Sequence, residues 1–262
     1  MNQTSPMTWI LLRGLTREAR HWGGFPRQLE LLLQSASTDS AQVLALDLPG
    51  NGAFYREASP WSVRGMVAFA RQQLQARGYR PPYSLVAMSL GGMVAVHWAQ
   101  QYPQEVARLV LVNTSLRPFS GITERLRPGN WLRLALLAAR WQGPESPDYI
   151  EQVIHQLTCQ RMASRDADLA AWIRIRRDAP VSIANAGRQF WAAARFTSAK
   201  PPRCPVLVLS SRGDRLVDPQ CSARLAHAWN AAHHEHPWTG HDLPHDDPDW
   251  VCQHLTRWLK DA

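Results

Sequence analysis

The chain has 262 residues, enough for one large domain, or one domain with an insertion, at roughly 150 residues per domain. Apolar residues make up 45% and charged residues 19%, which excludes the disordered and fibrous classes. The net charge of +8 rests on 27 Arg and 2 Lys, but no run of five or six like charges occurs, so a nucleic-acid-binding tail is not expected.

Twelve Trp imply much buried aromatic area or an aromatic-lined pocket. Cys159, Cys204, Cys221 and Cys252 show no paired spacing and read as reduced thiols. The apolar run from Trp9 to Leu12 is broken at Arg13, so it does not read as a signal peptide. No stretch approaches the roughly 18 apolar residues that cross a bilayer. A soluble, cytoplasmic protein is expected.

In chain order, Trp9 to Leu12 predicts a strand and Phe25 to Gln34 an amphipathic helix. A second strand, from Val43 to Leu46, ends in a turn over Asp47 to Gly52. Ser62 to Ala76 predicts a helix, Tyr83 to Ala87 a strand, Leu90 to Gln101 a helix and Leu109 to Val112 a strand. Apolar strands alternating with helices predict an α/β fold with a mostly parallel sheet covered on both faces. From Arg117 to Arg195 only helical periodicity appears: Trp131 to Trp141, then a face of Tyr149, Ile150, Val153, Ile154 and Leu157. Asp178, before Pro180, reads as the start of a helix running to Phe196. The strand pattern resumes at Pro205 to Leu209. A helix from Cys221 to Trp229, a short strand from His233 to His236 and a closing helix from Trp250 to Lys260 follow.

Leu85 to Gly92 runs from a strand through Met88-Ser89-Leu90 into a helix opened by two glycines. A Ser on such a bend has an exposed hydroxyl, and its neighbours must be small. The helix N-terminus aims free N–H groups at the same point, which suits an oxyanion. An ordinary strand-to-helix turn that happens to contain Ser is the plain alternative.

On these residues the chain resembles an α/β-hydrolase-fold serine hydrolase of the small bacterial carboxylesterase kind. The family's elbow is usually Gly-x-Ser-x-Gly; Ala87 stands in the first glycine position and Gly91 in the second. The resemblance implies Ser89 as nucleophile, Asp214 in the loop after the fifth strand as acid, and His241 in Thr239-Gly240-His241 as base. The chain order Ser, Asp, His is the family's. Asp218 is the rival acid, or else caps the next helix. Leu15 and Leu90 are implied as the oxyanion-hole amides, and Arg13 stands where the family usually has His. Asp47 to Gly52 resembles the family's Asp-x-Pro-Gly-His-Gly turn with Asn51 for His, and Asp47 reads as a loop-bonding residue. The resemblance implies about six central strands here rather than eight, without the family's N-terminal hairpin. The core would comprise residues 1–116 and 199–262, with an all-helical cap at 117–198.

No metal and no organic cofactor is expected. His233, His234, His236 and His245 lack a fixed zinc spacing and read as solvated. The insertion from 117 to 195 carries twelve Arg against seven acidic residues, with Arg174, Arg176 and Arg177 close together. These form a solvated face or a dock for an anionic or carrier-bound substrate. Arg13, Trp131, Trp172 and Trp191 are candidate substrate contacts, and such apolar cap residues equally form cap core. The expected substrate is a small-molecule ester or thioester. An acyl-thioesterase, an acyltransferase, a cofactor-free lyase and a non-catalytic binding scaffold on the same fold remain alternatives.

Overall fold

The computed structural model describes residues 7–36, 41–143 and 146–261. Six strands form one fully parallel sheet: β1 (Met7–Leu12), β2 (Ala41–Leu46), β3 (Tyr83–Met88), β4 (Val106–Val112), β5 (Val206–Ser211) and β6 (Ala232–His236). Their spatial order is β2-β1-β3-β4-β5-β6. Successive side chains of a strand point to opposite faces. Trp9, Leu11, Val86, Val110, Leu207 and Leu209 therefore pack on one side, and Ile10, Leu12, Leu85, Leu109 and Leu111 on the other.

Helices cover both faces. α1 (Phe25–Ala36) and the C-terminal α11 (Pro248–Asp261) bury Phe25, Leu29, Leu33, Val251, Leu255 and Trp258 on the first. α2 (Val63–Ala76), α3 (Leu90–Gln101) and α9 (Gln220–Trp229) bury Met66, Val67, Val94, Trp98 and Leu225 on the second. The central strands β1, β3, β4 and β5 are largely apolar because both of their faces are covered, whereas β6 (Ala-His-His-Glu-His), at one edge of the sheet, is polar and only partly buried. Ser62 caps α2, its hydroxyl accepting the Gly65 N–H at 3.2 Å.

Between β4 and β5 the chain forms α4 (Ile122–Arg125), α5 (Trp131–Ala139), α6 (Ser146–Thr158), α7 (Arg165–Asp178) and α8 (Ile183–Arg195). A single bridge between Arg117 and Thr197 joins the two ends of this segment. One element start differs from expectation. Asp178 closes α7 rather than opening α8, and the start of α8 is Ser182, whose extended backbone lets its hydroxyl accept the Asn185 N–H at 3.1 Å. The apolar clusters of the insertion are small: Leu137, Trp141, Ile150, Val181 and Ala186 in one, Cys159, Trp172 and Ile175 in another.

Polar ties to the sheet's carboxyl edge supplement this packing. Gln189 on α8 accepts the Thr16 N–H at 2.8 Å and donates to Asn51 and Ser59. Asn185 accepts the Ser59 N–H at 2.9 Å. Thr158, at the end of α6, accepts the Asp242 N–H at 2.8 Å from the short helix α10 (Leu243–Asp246) and its N-terminal flank. No helix among the described residues is long and apolar enough to cross a membrane.

Candidate active site

Ser89 stands where β3 turns into α3, at φ +53°. Few residues other than Gly adopt such a φ, and it costs on the order of 1–3 kcal/mol. The bend is held because the Ser89 N–H donates to the Val112 carbonyl on neighbouring β4 at 3.0 Å while the Ser89 carbonyl accepts from Met93. Small neighbours are a steric requirement: a Cβ at Gly91 would lie 2.6 Å from the Arg13 carbonyl oxygen. One at Gly14 would lie 3.3 Å from Ser89 Cβ, so the loop after β1 is pressed against the elbow. Ala87 is fully buried and the turn survives with it.

The Leu15 and Leu90 amides flank this point. Leu90 is the first residue of α3, where helix geometry leaves the N–H without an intrahelical acceptor. Neither amide has a partner among the described residues. Gln189 on the insertion fixes the next residue, Thr16, through its N–H.

Asp214 follows β5. Its Oδ1 accepts the Leu216 and Val217 N–H groups at 2.8 and 2.9 Å, which leaves Oδ2 for His241 Nδ1 at 2.6 Å. Both residues are almost wholly buried. Burial disfavours the charged imidazole, but the Asp214 carboxylate, its hydrogen bond and the nearby Asp242 outweigh that, so the His241 pKa is raised. Asp218 does not share this place: its Oδ1 accepts the Gln220 N–H at the start of α9.

Ser89 and the loop carrying His241 are anchored at adjacent residues of one strand end, Val112 and Asn113. Asn113, directly after Val112, donates from its side chain to the His241 carbonyl at 2.8 Å and accepts the Ser211 N–H at 3.0 Å. The structure joins Asp214 to His241 directly and sets Ser89 beside the same β4 end. Among the described residues the Ser89 hydroxyl has no hydrogen-bond partner.

Arg13 lies beneath this group. It is 3% exposed and forms a two-pronged pair with Asp242, at 2.9 and 2.5 Å, with the guanidinium over the Trp22 ring. Its charge is turned inward. Burial raises the Asp242 pKa, but Arg13 more than reverses this and holds it down to about 2. Of the three candidate Trp contacts, Trp172 is buried within the insertion beside His155 and His245. Trp131 and Trp191 are about half exposed. Asp47 accepts the Ala19 and Ala53 N–H groups and holds its loop.

Sequence reasoning assigns no role to Asn113, Asp242 or Glu151, and it notes Asp246 only as part of the Asp246-Asp247-Pro248 segment that resembles the family's pattern after the Gly-His loop. Asp246 accepts the Gly240, Gln160 and Arg161 N–H groups. Glu151, fully buried, takes Arg17 and Arg176 at once. Asp242 had one signal: an acid beside His241 in a chain that also puts a cation, Arg13, in a buried strand end.

The chain shares 39% identity over 97 residues with a pimeloyl-[acyl-carrier protein] methyl ester esterase of Chromobacterium violaceum, covering 37% of this chain and 34% of that one. A homoserine O-acetyltransferase of Trichlorobacter lovleyi is 38% identical over 71 residues, covering 27% and 19%. The chain thus spans about a third or less of the length of these curated relatives. An esterase from Thermogutta terrifontis matches at TM-score 0.75 and 21% identity, covering 99% of this chain and 91% of that one. An enol-lactonase from Burkholderia xenovorans matches at TM-score 0.76 and 16% identity, covering 99% and 94%. The alpha/beta hydrolase fold family model matches residues 10–248, and the six-stranded parallel sheet has that architecture. The chain belongs to the alpha/beta hydrolase fold family.

Proposed function

We propose that the protein is a serine hydrolase that cleaves a carboxylic ester through an acyl-enzyme, with Ser89 as nucleophile, His241 as base and Asp214 as its orienting acid. The observation that carries this is the strained Ser89 bend beside a buried Asp214–His241 pair at 2.6 Å. Residues 117–198 act as the cap.

His241 Nε2 takes the hydroxyl proton as Ser89 Oγ attacks the carbonyl carbon. Asp214 holds the imidazole in the tautomer that leaves Nε2 free and stabilises its charged form. The Leu15 and Leu90 amides take the developing oxyanion, each such donor being worth about 2.7–4 kcal/mol in the transition state. The alcohol leaves with the proton from His241, and water then attacks the acyl-enzyme with His241 again as base. A substrate hydroxyl or amine in place of water would give acyl transfer, and the partial likeness to an acetyltransferase keeps this second reading in view. The basic cap and the partial likeness to a carrier-protein methyl ester esterase favour an anionic or carrier-bound acyl group.

A fluorophosphonate probe should label the folded protein, and Ser89→Ala should lose labelling and roughly 10⁶-fold in kcat on aryl esters while melting like the wild type. A Ser89→Ala enzyme with near-native turnover would remove Ser89 from this role. Comparing water with added alcohol acceptors in the same assay separates hydrolysis from transfer.

A further inference from the structure

A second group of ligating side chains sits at the seam between insertion and core, outside the Ser89, His241 and Asp214 set. His155 and Cys159 lie one turn apart on the same side of the end of α6, where the Cys159 N–H donates to the His155 carbonyl at 2.8 Å. His245 reaches them from α10. One donor atom from each of the three residues lies within 4.8 Å of the other two. Asp168 on α7 adds a carboxylate oxygen 3.0 Å from His245 Nε2 and 3.8 Å from His155 Nε2, steadied by the Ser164 hydroxyl at 2.7 Å.

The second observation is an orphan. His155 is 1% exposed, and its Nε2 is buried without a hydrogen-bond partner among the described residues. Buried polar atoms seldom remain in that state. Packing against Trp172 accounts for where the two imidazoles sit but leaves that nitrogen unanswered. The histidines of β6 differ: His233 is bonded to Ser210 and His236 to Asp247, with no thiol among them.

We propose that His155, Cys159 and His245, with Asp168 as fourth donor, bind a divalent zinc ion that clips the insertion to the segment carrying His241. One thiolate, two imidazoles and one carboxylate form a borderline-soft set that suits zinc over magnesium or calcium. With Zn–N of about 2.0 Å and Zn–S of about 2.3 Å, tetrahedral donors stand roughly 3.3–3.5 Å apart, so side-chain rotations must draw the three donors in from within 4.8 Å of one another. On coordination the Cys159 thiol proton passes to solvent. The site is independent of the hydrolase reading.

The test is a cobalt titration of untagged, chelator-treated protein. The wild type should take up one equivalent of Co²⁺ with a thiolate-to-cobalt charge-transfer band that zinc abolishes. Cys159→Ala should lack the band, and Asp168→Asn should bind Co²⁺ about ten- to a hundred-fold more weakly. Zinc should raise the melting temperature of the wild type and not that of Cys159→Ala. Folded wild-type protein without the band at saturating Co²⁺ would overturn the proposal, as would a band that persists in Cys159→Ala. Should Cys159→Ala fail to fold, the wild-type and Asp168→Asn titrations decide alone.

Discussion

Arg13 and Asp242 decide much of the electrostatics around His241. Removing one partner of a buried pair leaves an uncompensated charge, at a cost of about 3–5 kcal/mol. The Asp242 pKa is depressed in the folded state, so its contribution is complete above the ordinary value of 3.8 and is lost as pH falls toward about 2. Urea melts of wild type and Asp242→Asn should differ near neutral pH and converge across that window. The same carboxylate helps to raise the His241 pKa. Because a base must be neutral to accept a proton, the acidic limb of kcat/KM should lie above the ordinary histidine value of about 6.5. In Asp242→Asn it should move to lower pH. At this scale the candidates Ser89, Asp214 and His241 could be picked out because each sits in a short motif near a strand end, and the structure shows the Ser89 bend and the Asp214–His241 contact. Asn113 and Asp242 could not, because a buried polar residue that serves a loop carbonyl or a buried cation carries no spacing of its own.

Beside its small apolar clusters, the helical insertion carries a buried charge cluster. Glu151 on α6 faces Arg17 from the loop after β1 and Arg176 from α7, all three buried. Glu151→Gln would leave two guanidinium groups facing each other without a counter-charge. It should lower the unfolding free energy by about 3–5 kcal/mol in denaturant melts, more than any exposed Arg–Asp substitution in the same helices. This arrangement also explains why α7 was hard to see. Its buried side runs Leu169, Trp172, Ile175 and Arg176, so an Arg occupies a core position and breaks the apolar stripe. The central strands were readable because both of their faces are largely apolar. The starts of β1 and β4 were placed late because Thr8 and Arg108 interrupt the apolar run.

Across the whole molecule, the parallel order β2-β1-β3-β4-β5-β6 gathers the ends of β1, β3 and β5 around the β4 terminus, which is why distant motifs share one edge. That order was not legible as such; only the alternation of strands and helices was. The net charge of +8 gives the molecule as a whole a positive field. Such a field speeds encounter with anions and is screened beyond about 8–10 Å at physiological salt. For an ester bearing a carboxylate, kcat/KM should therefore fall as ionic strength rises, while a neutral ester of equal length should show little change.

Thr158, Gln160 and Arg161 belong to the insertion by sequence, but their backbone atoms bond to Asp242 and Asp246 at the two ends of the short helix that follows His241. Anyone replacing this insertion with a segment from another protein of the family should therefore retain residues 158–161 and splice beyond them. A transplant cut at the sequence borders of the insertion would discard part of the bracket that keeps the imidazole in place.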